Sequence, residues 1–445
     1  MRTNGWLRTT SLVLAAFIGG AISTQAVNAT TQTQSPYNPL DQLAYTLTLV
    51  ERNHVDPVER TKLIDGAIKG LVSELDAHSA YMDAREYADF LNDTSGKFAG
   101  IGIEVDFRDE RVTVLSPMEN SPADRAGIKP GDEIIAIEGK PIRGLSADKI
   151  ISLMRGPVKT HVHLTLRRDG HPEPIQLDLI REEIQVSAIV SKRFDTDVAY
   201  VRIRQFQERT HDDLLKAIGK MRAENARPLR GVLLDLRNNP GGLVDEADAI
   251  ADEMLDSGGI YSTRHRGQIF EERKATSGGS LASLPIVVLM SEYSASASEL
   301  LAGALQDNKR ALVVGTQSFG KGSVQTIFDL PSGAGMRLTT MRYYTPNGRS
   351  IQAQGILPDV LVERAKPAQR GEVVHESDLD NHLVAEASTS RSTSGSAPHQ
   401  VVKAPETDSG PTREAPADPS KTTDFTLATG YKLLLERAGI KPPPN

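Results

Sequence analysis

Apolar residues recur three and four positions apart near the start of the chain: Leu40, Leu43, Leu47 and Val50, then Leu63, Ile64, Ile68, Leu71 and Leu75. That period predicts a helical region over 37–96, whose apolar stripes require cover from the rest of the chain or from another subunit. Glycines at 96, 100 and 102 then break the pattern. From about 98 to 179 short alternating strands follow, over 101–107, 112–115, 133–137 and 161–166, with Pro130-Gly131-Asp132 as a turn signal. Between about 184 and 362 apolar runs at 198–203, 232–236, 286–290 and 311–314 alternate with helical patterns at 212–222, 244–255 and 297–306. Such alternation predicts parallel βαβ units. Residues 365–423 are rich in Ser, Thr, Pro, Ala and Glu and lack apolar periodicity, which predicts a flexible, disordered linker. A last amphipathic helix is predicted over 425–438, with Leu427, Tyr431, Leu434 and Leu435 on the stripe by which it would dock on a folded partner.

The extreme N-terminus has a different texture. Arg2 and Arg8 precede an uncharged run over 12–22, and Val27-Asn28-Ala29 supplies small or modest residues beyond it. This predicts a secretory signal cut after Ala29, because the run falls short of the ~20 apolar residues a membrane span needs. The expected location is the periplasm or cell envelope, with membrane association if the signal stays uncleaved. The chain of 445 residues carries 51 basic and 58 acidic side chains, a net charge of −7, which argues against nucleic acid as partner. It has no cysteine, and so no disulfide framework, thiolate metal site or thiol nucleophile.

Parallel sheets carry their functional loops at the carboxyl ends of strands. Three loops qualify: Arg237-Asn238-Asn239-Pro240-Gly241-Gly242, Ser291 to Glu299, and Gly315 to Gly322. If their strands are neighbours, the loops converge. The second resembles a nucleophile elbow centred on Ser296, with Ser294 and Ser298 small enough for the bend, although either serine would also serve as a plain helix cap. The third begins like a phosphate-binding loop, but Gly322 stands where Ser or Thr should follow Lys321, and a β-branched stretch replaces the helix. Lys321 is instead a candidate general base. An unperturbed lysine is neutral in about 1 of 2,500 molecules at pH 7, so the role demands burial that lowers its pKa. Gln325 is placed to orient such an amine. The histidines offer no triad. His161-x-His163 lies on one strand face with no carboxylate cluster to complete a site, and so reads as a solvated surface rather than a metal site.

Taken together, Asp235-Leu236-Arg237-Asn238-Asn239-Pro240-Gly241-Gly242, Ser294-Ala295-Ser296-Ala297-Ser298-Glu299 and Phe319-Gly320-Lys321-Gly322-Ser323-Val324-Gln325 resemble the signature of carboxyl-terminal processing proteases, with Leu75 to Tyr81 upstream. The resemblance implies an α/β protease core related to ClpP and crotonases, preceded by a β-rich PDZ domain and an N-terminal helical region. It implies a serine endopeptidase with Ser296 as nucleophile, Lys321 as base and Gln325 holding the lysine. The oxyanion hole would come from the N–H of Ala297 and of Gly241 or Gly242. In the PDZ domain, Gly100-Ile101-Gly102-Ile103 would receive a terminal carboxylate while the peptide adds as a strand. Arg155 resembles a position from which a PDZ domain contacts the protease site, a gate. No metal or cofactor is implied. The expected partners are proteins with apolar C-termini, a second copy of the chain and an activating adaptor. The resulting segmentation is a signal at 1–29, a helical region at 30–96, the PDZ domain at 97–182, the protease core at 183–364, a linker at 365–423 and a terminal helix at 424–445. The competing expectation is a catalytically silent PDZ adaptor on the same scaffold.

Overall fold

A computed structural model describes residues 38–108, 111–118, 120–363, 374–385, 400–410 and 415–441. The expected signal segment at 1–29 lies outside the described residues. The chain divides into two units, residues 1–70 and 71–445. In the first, the helix Asn38–Asn53 is followed by the start of the helix Arg60–Ser73. Arg60 joins the two through its Nη2 to Glu51 Oε2 at 2.6 Å. Leu40 and Leu43 on the first helix are 60% and 50% exposed.

The second unit opens with a departure from the helical expectation. Ala80–Met82 is a strand, paired antiparallel with Gly335–Tyr344, and precedes the helix Ala84–Ser95. Three residues are too few for a period to register, and their partner lies some 250 positions away. The β-rich block is a six-stranded sheet built on Ile103–Arg108, Arg111–Pro117, Glu133–Ile137, His161–Arg167 and Ile175–Ile180, with Lys140–Pro141 beside the third. Alternation puts Val162, Leu164 and Leu166 into its core and leaves His161, His163 and Arg167 exposed. Lys97–Gly100 and Glu182–Gln185 pair antiparallel where the chain enters and leaves this block.

Seven strands form the second large sheet, in the order Ile189–Arg193, Val198–Ile203, Gly231–Asp235, Ile286–Met290, Ala311–Gly315, Val360–Glu363, Gln400–Lys403. All neighbours are parallel except the first pair. The central strands read as unbroken apolar runs because both faces are covered. On one face lie the helices Thr210–Ala223, Val244–Met254 and Ala297–Asp307. On the other, Leu427, Tyr431, Leu434 and Leu435 of the helix Phe425–Arg437 pack on Leu233, Val287 and Leu289. The folded partner of the terminal helix is thus the chain's own sheet. A separate antiparallel sheet joins Ala80–Met82, Gly335–Tyr344, Gly259–His265 and Gln268–Lys274, with Ser323–Asp329 also on Gly335–Tyr344.

The expectation of a disordered linker at 365–423 needs correction where that segment is described. Gln400–Lys403 extends the parallel sheet beside Val360–Glu363, and Glu376 is fully buried. Composition predicts how much apolar surface a segment can bury, but not backbone pairing with an open sheet edge or a single buried side chain.

Candidate active site

The strands Gly231–Asp235, Ile286–Met290 and Ala311–Gly315 are adjacent, so the three loops that follow them meet at one end of the sheet. Ser296 stands between the second strand and its helix at φ 55°, ψ −115°, a strained turn for a residue with a side chain. The flanking serines are staples rather than caps. Ser294 Oγ donates to Leu236 O at 2.9 Å, and Ser298 Oγ donates to Asn239 O at 3.0 Å.

Gly241 touches the elbow directly: a Cβ there would lie 2.8 Å from Ser296 Cβ and 3.0 Å from Ala297 N, at φ 102°. Its N–H is committed to Asn239 Oδ1 at 2.9 Å. The N–H groups of Ala297 and Gly242 donate to no protein acceptor among the described residues. Asn239, itself buried, also donates from Nδ2 to Ile203 O at 2.9 Å and accepts Ala295 N–H at 3.0 Å. It therefore clamps the glycine loop to the elbow, a role the sequence reading gave to no residue.

One carboxylate ties the serine loop to the lysine loop. Glu299 is fully buried, and its Oε2 accepts the N–H of Ser296 at 2.7 Å and of Lys321 at 2.9 Å. Its Oε1 accepts Ser318 Oγ at 2.6 Å and Gly320 N–H at 2.7 Å. Burial pushes its pKa up to about 7 against the pull of these four donors. A serine followed three residues later by glutamate is the sequence mark of a capping box, and that mark was available. Its second role, reaching across to the lysine loop, was not.

Glu299→Gln is expected to lower kcat/KM about 100-fold, because either orientation of the amide sets its NH₂ against a backbone N–H. The stability loss should be about 1–3 kcal/mol. The pH dependence separates this from a general defect. The folded pKa lies above the unfolded value, so the wild type holds this contribution below about 4.5 and loses it as pH rises toward 7. Urea midpoints across that window should fall in the wild type and stay flatter in the variant.

Lys321 is flanked by two glycines pressed against another segment; a Cβ on Gly322 would sit 2.4 Å from Gln352 N. Burial lowers the pKa of its amine, and the nearby Arg337 adds to this, while Glu376, Glu299 and Asp76 oppose it. Its Nζ makes no hydrogen bond or ion pair among the described residues, so the Ser296–Lys321 contact is not closed. Gln325 makes no hydrogen bond to the lysine among the described residues. It donates to Ser323 Oγ at 2.9 Å and Thr339 Oγ1 at 3.4 Å, next to an irregularity in the strand register at Val324/Gln325 that re-aims side chains. Thr339 in turn donates to Asp76 Oδ1 at 3.0 Å. The phosphate-loop alternative fails on structure, since a strand, Ser323–Asp329, follows Lys321 where a helix is required.

In the β-rich block, Gly102 at φ 73° lies so close to Ser121 that a Cβ would stand 2.3 Å from the serine Cβ. Gly102 O accepts Ser121 Oγ at 3.0 Å, Ile101 O accepts Ala123 N–H at 2.9 Å, and Ile101 is a core residue. Gly100 ends the Lys97–Gly100 strand and Ile103 begins the next. Arg155 stacks over the Phe98 ring at 4.7 Å and approaches Asp93 at 3.9 Å. The candidate gate thus rests on Phe98 and Asp93. His161 and His163 both face Asp178 of the paired strand, at 2.9 and 3.3 Å, a carboxylate that sequence proximity did not reveal. Among the described residues no His, Asp and Glu group is arranged to hold a metal ion.

Against known proteins, the model of the family described as peptidase family S41 matches residues 197–362, and a PDZ domain model matches 113–168. A model described as the activating protease CtpB N-terminal domain matches 15–86. A carboxy-terminal-processing protease of Bartonella bacilliformis is 39% identical over 97% of this chain and 98% of its own length. The carboxy-terminal processing protease CtpA of Bacillus subtilis is 34% identical over 79% and 74%. Among solved structures, a photosystem II D1 C-terminal processing protease is 29% identical over 71% of this chain and 86% of its own, with a TM-score of 0.44.

Proposed function

This chain belongs to the carboxyl-terminal processing proteases of peptidase family S41 and carries a PDZ domain, and from that membership we propose that it is a Ser–Lys dyad endopeptidase that takes protein C-termini. The observation that carries the proposal is Glu299 Oε2, a single buried atom bonded to the backbone N–H of both Ser296 and Lys321. Neutral Lys321 takes the proton of Ser296 Oγ as that oxygen bonds to the scissile carbonyl carbon. The oxyanion is received by Ala297 N–H and a second donor from the Gly241–Gly242 pair. As the intermediate collapses, the peptide C–N bond breaks and the lysine ammonium protonates the leaving amine. Water then attacks the acyl carbon and gives a proton to Lys321; the bond from that carbon to Ser296 Oγ breaks, the new carboxyl terminus leaves, and the lysine ammonium returns the proton to Ser296 Oγ. Gln325 holds the lysine once the dyad closes; its amide neither donates nor accepts a proton at neutral pH and so cannot compete.

The core is related to ClpP and crotonases, and residues 1–29 direct export to the periplasm or envelope. Gly100 to Ile103 receives the terminal carboxylate of a protein with an apolar C-terminus. Arg155 gates the site on moving from Phe98, and the chain works as a homo-oligomer under an activating adaptor. In the test, the full chain is given an unstructured protein with an apolar C-terminus and the same protein with that terminus amidated. Cleavage of the first, sparing of the second and loss of the first cleavage with Ser296→Ala are expected. Equal cleavage of the two overturns the C-terminal reading, and cleavage by Ser296→Ala overturns the nucleophile.

A further inference from the structure

The geometry points to Glu376 as a positioning residue for the lysine loop: a carboxylate from beyond the protease family match, set with His78 to hold Phe319 to Gly322 where the amine can reach Ser296. This rests on the reading of Lys321 as the base. The family match ends at residue 362, yet the short turn Glu376–Asp378 returns to the site and its Glu376 is fully buried. Apart from the Leu379 N–H that its carbonyl accepts within the turn, the contacts of Glu376 run to the lysine loop, to Gln352 and to His78. Its N–H donates to Phe319 O at 3.0 Å, two residues before Lys321. Its Oε1 accepts Gln352 Nε2 at 2.7 Å, and Gln352 Oε1 accepts the N–H of Gly322, the residue after Lys321, at 3.0 Å. Gln352 Nε2 also reaches Leu383 O at 3.1 Å, so the 376–383 segment straps across the loop.

Oε2 of Glu376 meets His78 Nε2 at 2.7 Å, and His78 O accepts Arg337 Nε at 3.0 Å. A carboxylate only accepts, so that imidazole nitrogen carries the hydrogen. The lysine loop therefore hangs between two buried carboxylates. Glu299 grips the N–H groups of Gly320 and Lys321, while Glu376 holds the flanks, Phe319 O through its backbone N–H and Gly322 through the Gln352 amide that its carboxylate fixes. The charges that bear on the amine are Arg337, which repels it, and Glu376, Glu299 and Asp76, which attract it. Of the three anions Glu376 exerts the strongest pull. It arrives from a segment whose composition gave no hint of a site.

The test uses the full chain with labelled casein, and a fluorophosphonate that reacts with Ser296 as a readout independent of substrate binding. Glu376→Ala should lower kcat about 100-fold with KM little changed, since a misplacement near 1 Å costs that much. Glu376→Gln keeps the acceptor toward Gln352 but removes the charge. The Lys321 pKa then falls further, and the acid limb of the kcat and labelling profiles moves to lower pH. The variant-to-wild-type ratio must rise as pH falls. Glu376→Asp should recover part of the Ala loss. A Glu376→Gln enzyme whose profile runs parallel to the wild type, whatever its Tm, overturns the proposal. Lys321→Ala with full labelling would instead sink the dyad itself, and the two failures are distinct.

Discussion

Ser296→Ala and Lys321→Ala should each remove all measurable proteolysis, a loss on the order of 10⁴ to 10⁶ in kcat. Neither variant should lose much stability, because Ser296 is held by its backbone and Lys321 Nζ bonds to no described residue. The two losses should not multiply in the double variant, since a nucleophile and its base act as one unit. The wild-type profile has a defined sign as well. Burial and Arg337 hold the lysine below its usual pKa of 10.5, and only the neutral amine is a base. Activity should therefore climb with pH through the folded lysine pKa, and that limb should sit below the value for free lysine. Unequal losses, with Lys321→Ala within tenfold of wild type, would assign the base to another group.

Arg237→Met should cost about 3–5 kcal/mol, because it strands two buried carboxylates. Arg237 donates from Nε and Nη2 to Asp235 at 2.9 and 2.7 Å, and from Nη1 to Asp424 Oδ1 at 2.7 Å. Asp424 caps the terminal helix, accepting Leu427 N–H at 3.0 Å. Tyr200 OH adds a bond to Asp235 Oδ2 at 2.9 Å. Burial pushes the Asp235 carboxyl up, but the charge and hydrogen bonds of Arg237 outweigh it and hold the pKa below the usual range. That contribution is present above the pKa of an unfolded aspartate and fades as pH falls through the folded value. Acid unfolding of the variant should begin at higher pH than in the wild type. Activity should fall too, since Arg237 begins the loop that carries Asn239 and Gly241. Urea and acid titrations measure both effects, and an unchanged urea midpoint would contradict the burial argument.

Much of the site was legible from residue order. The elbow at Ser296, the glycines at 241 and 242 and the lysine between two glycines all lie in loops that end apolar runs. A parallel sheet brings such loops to one end. The antiparallel sheet was far less legible. Gln268–Lys274 is exposed along its whole length, so no apolar alternation marks it. Gln325 shows the limit of motif reading: a register irregularity lies beside it in its strand, and its amide turns to Ser323 and Thr339.

The chain's own order of residues determined the candidate nucleophile loop, the candidate base and the alternation of strand and helix, because these follow from local period, small residues and turn chemistry. Tertiary structure alone decided which carboxylates serve them. Glu299 reaches a loop 21 residues away, Asp424 closes on Arg237 across 187 positions, and Glu376 meets His78 across 298. The physical reason is that a buried charge is tolerated only where donors converge on it, and convergence is a property of packed loops rather than of spacing along the chain.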